Sequence, residues 1–164
     1  RTYNPPREQE ARAEARERLC DIAATELLMP EEIFKKYLLG FGVSISSLAL
    51  LSNVFKASIN TVALRIAEVC PEYCVTLQWQ LRQRRKSKTL HLSNTKRKTY
   101  CTLKHPQAKP GSSIFKAYET DSIVKSRKDF KIGTEEKRLP MESKGFGYGE
   151  NRRVYSLVFL KRSK

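Results

Sequence analysis

The sequence predicts an α+β protein, helical first and mostly stranded afterwards, and three observations predict it. Apolar residues recur at three- and four-residue spacing as far as Val69. After Pro71 the apolar period drops to two. Charge breaks at the same place. Residues 1–70 hold nine bases and nine acids, residues 71–164 hold 23 and eight, and the whole net charge of +15 falls in the second part. The 164 residues suit one ordinary domain or two small ones. The boundary is placed at Cys70-Pro71, between a helical bundle over 1–70 and a basic β-rich domain over 71–164.

Asn4-Pro5-Pro6 reads as a cap and first turn, opening a helix from about Arg7 to Met29. Ala15, Leu19, Ile22, Ala23 and Leu27 give it a stripe expected to be buried, while Glu8 to Arg18 is charged enough to face solvent. Pro30 ends that helix and opens the next, whose first turn carries Glu31 and Glu32 at the positive end of the helix dipole. Ile33, Phe34, Tyr37 and Leu38 form its expected buried stripe, and Gly40-Phe41-Gly42 stops it. Two short helices follow, Ser47 to Phe55 with Ser46 or Ser47 as cap, and Ile59 to Val69 with Ser58 as cap. Leu48, Leu51 and Phe55 face Val62, Ile66 and Val69 across the turn at Lys56-Ala57-Ser58, in the proportions of a helix-turn-helix. The second helix of the pair brings Asn60, Thr61 and one base, Arg65, where a DNA-reading helix usually brings several donors.

Tyr73, Val75, Leu77, Trp79 and Leu81 alternate with Cys74, Thr76, Gln78, Gln80 and Arg82, a half-buried strand with one wet face. Thr89 to Leu92 and Thr99 to Leu103 are shorter strands. Arg82, Arg84, Arg85, Lys86 and Lys88 are separated by seven residues from Lys96, Arg97 and Lys98, as on the arms of a hairpin. Lys109-Pro110-Gly111 is a turn, Ser112 to Tyr118 a serine-capped helix, and Leu139 to Ser143 another strand. Val154 to Leu160 is apolar on both faces and belongs in the centre of a sheet.

Several function classes drop out. The uncharged run Tyr37 to Phe55 holds two glycines, four serines and Asn53, which argues against a membrane span, and no basic-then-apolar leader is seen. Gly145, Gly147 and Gly149 lack the G-x-G-x-x-G spacing of a phosphate loop and read as a hairpin connection. Four cysteines do not make a disulfide scaffold, so a reducing, cytoplasmic setting is expected. Cys70 and Cys74, with Cys101 and His105, have the outline of a structural zinc site but no shared knuckle. The basic clusters would attract polyanions in a salt-dependent way, but no aromatic residue interleaves them to stack bases.

The most informative stretch is Glu17-Arg18-Leu19-Cys20-Asp21-Ile22-Ala23-Ala24-Thr25-Glu26-Leu27-Leu28-Met29-Pro30. Glu17, Cys20, Asp21 and Ala24 share one helical face. Two acids one turn apart there serve either a cation or an ordinary surface salt bridge. The stretch resembles the glutamate helix of the ImmA/IrrE family of zinc metallopeptidases, whose pattern is close to E-x-x-A/C-N-x-x-A-x-x-L-L-M-P, with Asp21 in place of the usual asparagine. The pair Ser47 to Val69 looks like the helix-turn-helix-like segment that follows in this family. Ser113 to Tyr118 through Arg153 to Val158 is similar to its variable β-rich region, likened in IrrE-like members to a GAF sensor fold. The resemblance implies that Glu17 is the third ligand of a catalytic Zn2+. It implies two histidine ligands on an H-E-x-x-H helix before it. His91 and His105 both lie downstream, and sixteen residues precede Glu17, so that helix is expected upstream of Arg1 and this piece alone is expected to be inactive. By resemblance the protein substrate is a helix-turn-helix repressor in stress response or mobile-element control, and 71–164 is a sensor or docking module. The alternative is a non-enzymatic regulator that binds nucleic acid through the helix-turn-helix-like pair and the basic C-terminal half.

Overall fold

The computed structural model describes residues 7–70, 74–84, 87–96 and 101–160. Four helices come first: α1 (Arg7–Leu28), α2 (Glu31–Phe41), α3 (Ile45–Phe55) and α4 (Ile59–Val69). Then follow β1 (Cys74–Arg84), β2 (Ser87–Lys96), β3 (Cys101–Leu103), β4 (Gln107–Ala108), α5 (Ser113–Glu119), β5 (Val124–Ile132), β6 (Glu135–Phe146) and β7 (Arg153–Phe159). The fold is α+β, as the change of period predicts. The expected cap at Asn4-Pro5-Pro6 lies outside the described residues, as do Pro71, Tyr73, Arg85, Lys86, Arg97 and Lys98.

The seven strands form one antiparallel sheet in the order β3-β5-β6-β7-β1-β2-β4. The strand that is apolar on both faces, β7, is its middle member, with β1 and β6 on either side. Strand β5 has no counterpart in the sequence expectation. Its inward positions read Val124, Ser126, Lys128, Phe130 and Ile132, and the lysine and serine break the apolar alternation.

The sheet curls until its two edge strands are linked by only three residues. From β3 the chain passes through Lys104, His105 and Pro106 into β4. The Lys104 amide donates to Asp129 O on the β5 side (3.3 Å), and Pro106 O accepts from Leu92 N on the β2 side (3.0 Å). Inside the curl, Val75, Leu77 and Trp79 of β1 meet Phe130, Met141, Val154 and Val158, with Ile114 and Phe115 of α5 over them. The indole of buried Trp79 donates to Ser156 Oγ (3.0 Å), which shares a further bond with Ser143 Oγ (2.7 Å), so the polar atoms there are paired.

The helices cover part of the outer face. Phe34, Leu38, Leu48, Leu51, Val62 and Ile66 share a core with Cys74, Tyr155 and Leu157 of the sheet. The expected wet face of β1 is therefore dry at its start, where Cys74 and Thr76 are buried, and wet only at Gln80 and Arg82. The described members of the two basic runs lie at opposite ends of β2 rather than on facing hairpin arms. Lys88 pairs with Gln83 at one end of β2 and Lys96 with Thr76 at the other, about 26 Å apart at the usual strand rise.

Ser58 and Ser112 cap as expected, accepting from Thr61 N (3.1 Å) and Phe115 N (3.3 Å). Helix α3 starts earlier than expected, at Ile45 behind Ser44, and neither Ser46 nor Ser47 caps it. The hydroxyl of Ser47 instead turns back to Gly42 O, and the α3 amide at Ile45 is taken by Glu142 Oε2 of β6 (3.1 Å). Arg152 ties the end of α5 to the turn before β7 by donating to Tyr118 O (2.6 Å), Thr120 O (3.1 Å) and Gly147 O (3.0 Å).

A Cβ at Gly145 would come within 2.7 Å of both Ala117 O and the Arg152 guanidinium. Gly145→Ala is therefore expected to lower stability by about 1–3 kcal/mol. The same change at Gly40, which a Cβ would meet nothing within 4 Å, is the control in denaturant titration.

Candidate functional site

The site is built on α1 and on the side chains that hold its C-terminal end. Helix α1 stands away from the core. Leu19, Ile22, Leu27 and Leu28 are 67%, 65%, 83% and 59% exposed, which overturns the expectation of a buried stripe. The same holds in part for α2, where Phe34 and Leu38 are buried but Ile33 and Tyr37 are half exposed. Met29, fully buried, is where the chain re-enters the core.

Arg65 of α4 fixes that entry. Its side chain is 8% exposed, and its Nε and Nη2 both donate to Met29 O, at 3.1 and 2.9 Å. Nη2 also pairs with Glu26 of α1, and Nη1 lies 3.6 Å from Glu68. Glu26 Oε1 accepts the Glu31 amide at 2.8 Å, so one carboxylate joins the last turn of α1 to the first turn of α2. That amide, and then the guanidinium, hold the Glu26 carboxyl below the usual glutamate range. In α2 the Lys35 ammonium lies 2.6 Å from Glu31, which lowers the Glu31 pKa and raises that of Lys35. A cavity of about 370 Å3, lined by Asp21, Glu26, Glu31, Arg65 and Glu68 among others, lies between α1 and this clasp.

Glu17 sits on exposed α1, and no described residue offers it an ion pair or a hydrogen bond. By helical spacing its face continues through Cys20, Asp21, Ala24, Leu27 and Leu28, all exposed. Sequence reasoning singled out Glu17 and missed Glu26 and Arg65 as its support. Arg65, the one base the sequence offers for a would-be DNA-reading helix, is spent inside the protein. Nothing local signals this, because the groups it donates hydrogen bonds to lie 36 and 39 residues away. Helices α3 and α4 do cross at 111°, within the helix-turn-helix range.

Of the Cys-His outline, Cys70 and Cys74 lie together, and the Cys101 side chain falls outside the described residues. Cys74 Sγ donates weakly to Cys70 O at 3.9 Å, and burial pushes the Cys74 thiol up to about 12 and raises that of Cys70. Cys101 lies on β3, with β5, β6 and β7 between it and Cys74 on β1. Among the described residues no group of three or more His, Cys, Asp or Glu side chains is suited to a metal ion. Also among these residues, no single helix is long and apolar enough to cross a membrane. No family model matches the chain, and no curated protein matches it.

Arg65→Ala should cost about 1–3 kcal/mol through the stranded Met29 carbonyl and speed amide exchange along the end of α1. Arg65→Lys restores the charge without the planar fork, so it should recover only part of the loss. Because Glu26 has a lowered pKa when folded, its contribution is present above the ordinary glutamate value and is lost as pH falls through the lowered one. A pH titration following the Glu31 amide resonance should show the clasp opening in that window, with no change near neutral pH.

Proposed function

We propose that this chain is the C-terminal part of a cytoplasmic zinc metallo-endopeptidase of the ImmA/IrrE kind, with Glu17 as one zinc ligand and a helix-turn-helix repressor as its protein substrate. The observation that carries the reading is the bare side of α1. A carboxylate without a described partner shares that side with Cys20, Ala24, Leu27 and Leu28. Burying each leucine is worth about 1.5–3 kcal/mol, so the face favours a covering element. An H-E-x-x-H helix laid there would bury the leucines and bring two imidazoles toward Glu17.

A catalytic zinc takes three protein ligands and keeps one position open. The described residues offer one, so the chain by itself is inert on this reading. Bound zinc supplies the Lewis acid that polarises a peptide carbonyl and acidifies a water. Within this chain, Glu17 would hold the zinc, the Arg65 and Glu26 clasp sets the direction of α1, and exposed Asp21, one turn on, stands where it would orient a neighbouring ligand. The nucleic-acid reading loses α4 as a reading helix, because its one base is buried, and keeps only the basic sheet half.

The test is the protein produced with its upstream coding segment. One zinc per chain is expected, and Glu17→Gln should weaken zinc binding by at least about tenfold, the loss that even an outer-shell partner of a ligand causes. Zinc content and affinity unchanged in Glu17→Gln would remove the assignment.

A further inference from the structure

A cavity of about 190 Å3 lies at the seam where β3 passes into β4. Leu103 and Ile114 give it an apolar floor, and His105, Arg127, Lys128 and Arg138 line it against one carboxylate, Asp129. On nearby strands the cations hold acids. Lys104 pairs with Glu136 (3.2 Å), Lys125 with Glu142 (3.4 Å) and Lys137 with Glu135 (2.6 Å). Around the cavity they do not, since Arg127, Lys128 and Arg138 have no ion pair among the described residues. Arg127 is held by donating to Arg138 O at 3.1 Å. The backbone adds a donor. Because Lys104 N bonds Asp129 O, the Asp129 peptide faces the open edge of β5, and the Arg127 amide, two residues back, faces the same way beyond the end of β3.

We infer that this seam cavity binds a compact dianion carrying a phosphoryl group. Basic side chains and a backbone amide around one cavity match the several oxygens of phosphate, and a dianion suits a lining in which cations outnumber the single carboxylate. The cavity is smaller than the roughly 300–1,000 Å3 of sites that enclose larger ligands. It therefore takes inorganic phosphate or a small phosphate ester rather than a whole nucleotide. The inference is independent of the peptidase reading, because it uses only residues of the sheet half.

The test titrates sodium phosphate, and separately ribose 5-phosphate, into the full chain by NMR, with chloride holding ionic strength at about 0.15 M. Saturable one-to-one binding is expected with a Kd at or below about 1 mM, and shifts should centre on Gln107, Lys128 and Arg138. Tighter binding of the ester than of phosphate would mark it as the source of the ligand, and the reverse would mark the free ion. Lys128→Gln and Arg138→Gln should each weaken binding about tenfold, the loss of one charge-assisted bond. Lys125→Gln, exposed, paired with Glu142 and outside the cavity lining, should leave it unchanged. The spectra themselves report that each variant is folded. No saturation beyond the chloride control overturns the inference. So does an equal loss in Lys125→Gln, and so does binding of a single-stranded oligonucleotide that phosphate does not compete.

Discussion

Arg65 is the interaction on which the helical half depends. A guanidinium only 8% exposed is tolerable because the Met29 carbonyl and the Glu26 carboxylate use its donors at the point where α1 leaves the core. Glu26 is half exposed, so its charge stays largely solvated while Arg65 bears the burial. The geometry resembles a peg through a hinge. With Met29 sealed in the core, Pro30 opening α2 and Glu31 donating back to Glu26, the direction of α1 is set by a few atoms at one end. A long exposed helix anchored in this way can present a side chain such as Glu17 in a repeatable position without touching the rest of the domain.

The sheet half is held by a different logic. Its curl gives the middle strand, β7, two buried faces, one toward α5 and one toward the helices. That is why β7 carries Val154, Val158, Tyr155 and Leu157 with scarcely a polar residue between them. The exception, Ser156, sits between Trp79 and Ser143 and satisfies both. Glu142 joins the two halves, taking the first amide of α3 from the outer face of β6. The helical layer and the sheet thus share a core and a cap, despite the abrupt change of composition between them.

What the sequence made legible was whatever depends on near neighbours. The limits of α4, the caps at Ser58 and Ser112, the turn at Lys109-Pro110-Gly111 and the central place of β7 all follow from local pattern. What escaped depends on residues far along the chain. The start of α3 is decided by a carboxylate 97 residues away, and Arg65 by a carbonyl 36 residues away. Strand β5 was hidden because inward Lys128 borders a cavity rather than packed core, so period-two reasoning met a charge where it expects an apolar group. For the candidate site, Glu17 was visible by its spacing to Leu27, Leu28 and Met29. The exposure of α1 was not, since an apolar stripe alone does not say what covers it.

The three-residue link from β3 to β4 has a consequence for how this chain behaves among its own copies. An open sheet carries two raw edges, each a template on which another molecule can add a strand. Here Lys104, His105 and Pro106 sew one edge toward the other. The part of β5 running on past β3 is guarded by Lys125, Arg127 and Lys128. Lengthening that link would do more than loosen a loop, because it would free strand edges on which a second copy could add a strand.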